Sequence, residues 1–324
     1  MICIMREVRV SIVSRGPKAT LGKRENQAIL AAVKGLIEKV SRDKPDIILL
    51  PEIFANHPED MAGEVSSTAA SAAKAAQTVA GPLSEELSGL ARKYRTYIGF
   101  GLLRRSGRRL FNSLVLLDRS GKHVWTYDKT TPMPTEMSGW GETPGSRPRA
   151  FDCDFGRVAG AICFDINFLE LAEIYLRQDA ELILFSSAFP AGRLLDVWAI
   201  RYGFNVAGST WYDYNRVIDC TGATVGQTSD ILPCTTTVLN LNRRLVHMDF
   251  NLEKIERLLK KYAGDVVVQD LRPEATCVIT SLKKGLEVTD LIREFRIERL
   301  PAYFDRSRRV RQEHGGLKVI KWGT

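Results

Sequence analysis

The residues of this chain best suited to chemistry stand at the ends of short apolar runs. Ile47-Ile-Leu-Leu-Pro51 leads into Glu52, Val124-Trp-Thr-Tyr-Asp128 into Lys129, and Val158-Ala-Gly-Ala-Ile162 into Cys163. A carboxyl that follows a buried run meets low-dielectric surroundings, which suits a general base. A lysine there brings a positive charge, and a cysteine brings a nucleophile whose reactive form is the thiolate. Taken singly, each has an ordinary reading: a solvated carboxylate at a strand end, a surface ammonium, a thiol packed as a small hydrophobe. Taken together they are the set that nucleophilic catalysis needs, a nucleophile with a base and a cation.

Each group needs an element to hold it. Residues 8–13 read as an opening strand, and 25–40 show helical apolar spacing at Ile29, Val33, Leu36, Ile37 and Val40, stopped by Pro45. The continuous run 47–50 has strand length and is expected to be buried on both faces. Residues 59–80 read as an exposed loop followed by a helix, and 83–94 as a further helix. Strands are expected at 97–103, 112–117 and 124–127, the first two forming a hairpin. The stretch 130–150, with four prolines, reads as a long irregular loop of the kind that carries function. Strand 157–163, helix 169–178, strand 181–185, a helix at 197–204, strands near 216–219 and 236–241 and a helix at 255–262 follow. What remains, including Leu291 to Phe295, reads as a tail packing on the domain or on another subunit. Early strand–helix alternation with hairpins in the middle predicts mixed sheets covered by helices.

The motifs also carry a resemblance. Leu50-Pro-Glu52, Tyr127-Asp-Lys129 and Gly160-Ala-Ile-Cys-Phe-Asp165 resemble, in order and spacing, the three signature segments of the nitrilase superfamily. Thr143-Pro-Gly145, Phe151-Asp-Cys-Asp-Phe-Gly-Arg157, Asp179-Ala-Glu-Leu-Ile-Leu184, Ser186-Ser-Ala188 and Val217-Ile-Asp-Cys-Thr-Gly222 are similar to further family segments, so the likeness covers about 8–250. It implies an α/β fold, the αββα four-layer sandwich with mixed sheets, pairing through helices into a homodimer or larger homo-oligomer. It gives Glu52, Lys129 and Cys163 the catalytic positions and Glu136 that of a second glutamate supporting the lysine. The implied chemistry needs no cofactor and no metal. Lys129 favours the thiolate and Glu52 takes its proton. Lys129 and the Phe164 N–H meet the oxyanion, and water then cleaves a thioester. Ser187, Phe189 and Trp140 are further candidates for the oxyanion and substrate-binding region. For Trp140, Phe189 and Trp198 ordinary packing is the preferred reading over a place in an apolar pocket lining.

The chain departs from the family in places. Phe168-Leu-Glu170 replaces the usual Phe-Pro-Glu, and Arg201-Tyr-Gly-Phe-Asn205 alters a helix that often bears substrate contacts. Nitrile hydrolysers tend to carry Trp after the nucleophile, whereas Phe164 resembles the amide and carbamoyl branches. The expected substrate is therefore a small linear amide or ureido compound. The alternatives are nitrile hydrolysis, acyl transfer or a silent scaffold. Loops 53–60, 130–147 and 187–196 shape the pocket without naming a ligand.

Composition bounds the rest. The chain has 324 residues, 44% hydrophobic and 26% charged, as expected of a folded globular protein. The net charge of +8 comes from mixed charges, with an excess in 290–324, and no recognition motif accompanies it, so no nucleic-acid function is expected. Gly99-Phe-Gly101 lacks the third glycine of a dinucleotide loop. The cysteines, 3, 153, 163, 220, 234 and 277, form no Cys-x-x-Cys pair. With no leader pattern and no apolar span, the expectation is a cytoplasmic protein with reduced thiols and no membrane association. The hydrolase domain is expected over 1–285 and the tail over 286–324.

Overall fold

The apolar run at 47–50 alternates between two cores. Ile47 and Leu49 belong to one buried cluster with Ile162, Ile183 and Leu184, while Ile48 and Leu50 belong to another with Val33, Ile37 and Leu87. Side chains two apart on a strand share a face, so the run lies in a sheet covered on both sides, as its composition implies. The computed structural model describes residues 6–14, 26–58 and 68–316. Cys3, residues 59–67 of the expected loop and residues 317–324 lie outside these.

The described residues fall into two units, the larger being Glu7–Leu241. Along it run β1 (Glu7–Val13), α1 (Asn26–Ser41), β2 (Ile47–Leu49), α2 (Ala69–Ala75), α3 (Pro82–Tyr94), β3 (Tyr97–Ser106), β4 (Arg109–Leu117) and β5 (His123–Asp128). There follow β6 (Phe151–Cys153), β7 (Gly156–Ile162), α4 (Leu169–Arg177), β8 (Leu182–Ser187), α5 (Leu194–Tyr202), β9 (Asn205–Thr210), β10 (Arg216–Ile218), β11 (Thr224–Gln227) and β12 (Cys234–Asn240).

Two six-stranded sheets form, in the orders β12-β1-β2-β3-β4-β5 and β11-β10-β9-β8-β7-β6. Each has a parallel centre, β1-β2-β3 in one and β7-β8-β9 in the other, flanked by antiparallel strands. The inner faces pack on one another through Val8, Val10, Ile12, Leu114, Leu116 and the side chains of β7 and β8. The outer face of the first sheet takes Ile29, Val33 and Ile37 of α1 and Leu83, Leu87 and Ala91 of α3. The second takes Leu171 and Tyr175 of α4 and Leu195, Trp198 and Tyr202 of α5. The result is an αββα sandwich of mixed α/β architecture. Two hydroxyls stitch the sheets near the carboxyl ends of the parallel strands: Ser186 Oγ donates to the Leu50 carbonyl at 3.0 Å and Ser209 Oγ to that of Val13 at 2.6 Å. Those strand ends are where open α/β sheets bind ligands.

The second unit, Arg6 with the residues from Asn242 onward, has its own sheet and core. Its strands β13 (Arg243–His247), β14 (Val266–Leu271) and β15 (Thr276–Ser281) pair antiparallel in the order β13-β15-β14. Helices α6 (Leu252–Lys261), α7 (Val288–Glu294) and α8 (Leu300–Glu313) accompany them. Val246, Ile255, Leu258, Val266, Ile279, Leu291 and Ile292 form one cluster. The units divide at 241/242 rather than near 285, because 276–281 pairs with 243–247. Leu291 and Ile292, expected in a tail, belong to this core. Among the described residues no helix is long and apolar enough to cross a membrane.

Candidate functional site

Glu52 follows β2 and is 3% exposed. Its Oε1 accepts from Asn112 Nδ2 at 2.6 Å and Lys129 Nζ at 3.2 Å, and its Oε2 accepts the Ala188 N–H at 2.6 Å. Trp211 Nε1 donates to its backbone carbonyl. Both carboxylate oxygens are thus held, by donors from within β4 and from just past the ends of β5 and β8. The chain turns sharply here, with Ile53 at φ 40°, a strained conformation for a β-branched residue. Gly101 of β3 lets the turn approach: a β-carbon there would lie 2.4 Å from Glu52 Cα, inside any tolerable contact.

Lys129 follows β5 and has no exposed surface. Besides Glu52, its ammonium touches both oxygens of Glu136, at 2.9 and 2.8 Å. Burial opposes its charge, but the negative charges of Glu52 and Glu136 outweigh that and hold its pKa well above the ordinary lysine value. Glu136 opens a single π-type turn, Glu136–Trp140, inside the proline-rich loop. Its carboxylate also accepts the Met133 N–H at 2.6 Å, so the loop is folded back onto the lysine. Burial raises the Glu136 pKa and Lys129 pulls it down.

Cys163 follows β7 at φ 51° and is 8% exposed. The left-handed turn starts one short helical turn, Cys163–Asn167. The first N–H groups of any such turn, that of Phe164 included, take no acceptor from within it and are available to an anion. The thiol lies within electrostatic reach of Glu52, Lys129 and Glu136 and beside the Ser187 side chain. Burial, then the charge of Glu52, push its pKa up, against the pull of Lys129. The resting thiol is therefore neutral, with a carboxylate beside it.

Asp165 ties the nucleophile's turn to the lysine's strand. Its Oδ2 accepts from Tyr127 OH at 2.7 Å and the Ile162 N–H at 3.0 Å, and its Oδ1 from Thr130 Oγ1 at 3.0 Å and the Thr131 N–H at 2.8 Å. Four donors on one buried carboxylate fix Lys129 and Cys163 relative to each other.

Glu52, Lys129, Glu136, Cys163 and Ser187 are thus brought together. Ser187 is fully buried and its Oγ also accepts the Phe189 N–H at 2.9 Å. Phe189 is half-buried, edge-on to Phe185. Trp140 is 6% exposed and packs in an apolar cluster with Ile53, Leu103 and Leu110, and Trp198 lies in the main core. Sequence reasoning missed Asn112, Glu142 and Trp211. The signal for Asn112 was a polar residue inside the strand Leu110-Phe-Asn-Ser. For Glu142 it was an acid just before Thr143-Pro-Gly145. Among the described residues no group of three or more His, Cys, Asp and Glu is arranged to hold a metal ion.

The carbon-nitrogen hydrolase family matches residues 11–222, most of the larger unit. The chain belongs to the carbon-nitrogen hydrolase family. Among relatives, this hydrolase is 28% identical over 217 residues to "Nitrilase 3" of an unknown prokaryotic organism, covering 58% of this chain and 64% of that one. It is 30% identical over 168 residues to the chloroplastic omega-amidase of Arabidopsis thaliana, covering 49% and 44%. The matched part thus spans about half to two thirds of those relatives' length. Solved structures of an amidase from Nesterenkonia sp. AN1, one in complex with butyramide, share the fold of this carbon-nitrogen hydrolase. They align with a TM-score of 0.59 at 17% identity, covering 79% of this chain and 97% of theirs.

Proposed function

We propose that this carbon-nitrogen hydrolase cleaves a small linear amide or N-carbamoyl compound through a thioester on Cys163. The observation that carries the reading is the buried cluster in which Glu52 and Glu136 grip Lys129 beside the Cys163 thiol. Attack on the carbonyl transfers the thiol proton to Glu52 as the C–S bond forms. The oxyanion meets Lys129 and the Phe164 N–H. Glu52 returns the proton to the departing amine, then takes one from the water that cleaves the thioester and passes it to the Cys163 sulfur as the C–S bond breaks. Glu136 holds the ammonium in place.

The choice of amide over nitrile rests on Phe164 after the nucleophile and on Glu136. The names of its relatives, nitrilase and omega-amidase, support both readings. Comparing kcat/KM for a nitrile, an amide and a ureido acid with one shared side chain decides between them. The amide or ureido acid is expected to lead by roughly tenfold or more, and the same lead for the nitrile overturns the assignment.

The proposal extends to assembly as a homodimer. The outer helices α4 and α5 expose Leu169, Ile174, Val197 and Ile200, an apolar face of the kind that pairs. Light scattering at micromolar concentration is expected to give twice the chain mass or more, and monomer alone counts against pairing.

A further inference from the structure

Three carboxyls surround one ammonium in this site, and hydrogen bonds from Lys129 reach two of them, Glu52 and Glu136. The third, Glu142, is 4% exposed. Its Oε1 accepts the Asn112 N–H at 3.3 Å, and its Oε2 is buried with no partner. A carboxylate oxygen sealed from water without a donor is costly, whereas a carboxylic acid in that place has a hydroxyl to give and no charge to solvate. The neighbour has the complementary lack. Asn112 Oδ1 is buried without a donor, while Asn112 Nδ2 donates to Glu52. An amide can be reversed end for end, so something must fix which end faces Glu52.

We propose that Glu142 is a positioning residue: as the neutral acid it fixes the Asn112 amide, and Asn112 in that orientation holds Glu52 against Lys129. The inference rests on the reading of Glu52 as the base. Charge balance favours it independently. Glu52 and Glu136 already place two anions on one ammonium, and a third would oppose the oxyanion that the site must stabilise. Burial, followed by the charge of Glu136, holds the Glu142 pKa well above the ordinary carboxyl range, against the pull of Lys129 and with Glu52 adding to the rise. The unpartnered Oε2 and the charge balance thus both favour the neutral acid. As pH climbs through its raised pKa it ionises, Asn112 loses its donor, and the site's reactivity falls relative to a variant that cannot ionise.

The test is the rate of Cys163 alkylation by iodoacetamide, located by mass spectrometry, in wild type, E142Q, E142A and E52Q between about pH 6 and pH 9.5. This readout needs no substrate. Glu142→Ala is expected to slow alkylation roughly tenfold near neutrality, and Glu142→Gln, which keeps a donor and an acceptor, to restore it to within about threefold. The ratio of E142Q to wild type is expected to rise with pH, which a merely structural role does not produce. The proposal is overturned if E142A reacts as wild type, if E142Q is as slow as E142A, or if the E142Q ratio is flat with pH. Should E142A fail to fold, the E142Q ratio still decides. E52Q is read separately: a wild-type rate there sinks the base assignment itself, whereas a slow E52Q with an unaffected E142A sinks the role of Glu142 alone.

Discussion

Cys163→Ala is expected to abolish turnover, by about 10⁴-fold or more, while leaving the fold intact. The loss is large because the proposed mechanism has no second nucleophile: Cys153, Cys220, Cys234 and Cys277 lie elsewhere in the fold. The fold survives because alanine removes one sulfur at a strand end and tolerates φ 51° no worse than cysteine. A change in unfolding free energy under about 1 kcal/mol at pH 7 is expected. The variant should even gain on wild type in alkali. The folded thiol's pKa is raised above its unfolded value near 9.0, so the stability tied to the neutral thiol is present below that pH. It is lost as pH rises towards the folded pKa, and alanine has nothing to lose. Turnover of the best substrate together with denaturant unfolding at neutral and alkaline pH checks both parts. Wild-type turnover by C163A overturns the covalent mechanism.

How far the sequence reveals this molecule depends on which residues carry the information. The run 47–50 is legible because four apolar residues in a row, too few for a helix and bounded by Asp46 and Pro51, fit only a strand covered twice. Glu52, Lys129 and Cys163 are legible because each follows such a run. Strand β9 is not, since Asn205-Val-Ala-Gly-Ser-Thr210 has neither alternation nor an apolar run and follows directly on α5. The smaller sheet escapes because Val266-Val-Val-Gln-Asp-Leu271 alternates weakly, Arg243-Arg-Leu-Val-His247 opens on two charges, and Thr276-Cys-Val-Ile-Thr-Ser281, which pairs with both, is short. Asn112 and Glu142 escape for a different reason. A polar residue reads as exposed until the tertiary fold buries it, and their burial is set by strands and loops far away in the chain.

Lys129→Met is expected to cost both activity and stability, and the pH dependence of the second effect identifies its cause. The side chain has no exposed surface and carries the only ammonium that touches Glu52 and Glu136 among the described hydrogen bonds. Methionine fills nearly the same volume, so packing changes little. What remains is two carboxyls facing each other in a buried site without a cation, and breaking such a pair typically costs about 3–5 kcal/mol. The Glu136 pKa is already raised by burial, with Lys129 pulling it down. Removing Lys129 lifts it further above the unfolded value. A carboxyl whose folded pKa is raised contributes its stability below the unfolded pKa and loses it as pH rises through the folded one. The stability deficit of K129M is therefore largest at neutral pH and shrinks on acidification towards about pH 5. Adding Glu136→Gln removes one of the stranded charges and is expected to recover part of the stability at pH 7. It should recover none of the activity, because the cation that meets the oxyanion is still gone, a loss of roughly 10³-fold in kcat. Denaturant unfolding of the single and double variants at both pH values, beside their turnover, makes the comparison. A deficit that does not change with pH, or a double variant no more stable than K129M, would show that Lys129 is held by packing rather than by its two carboxylates.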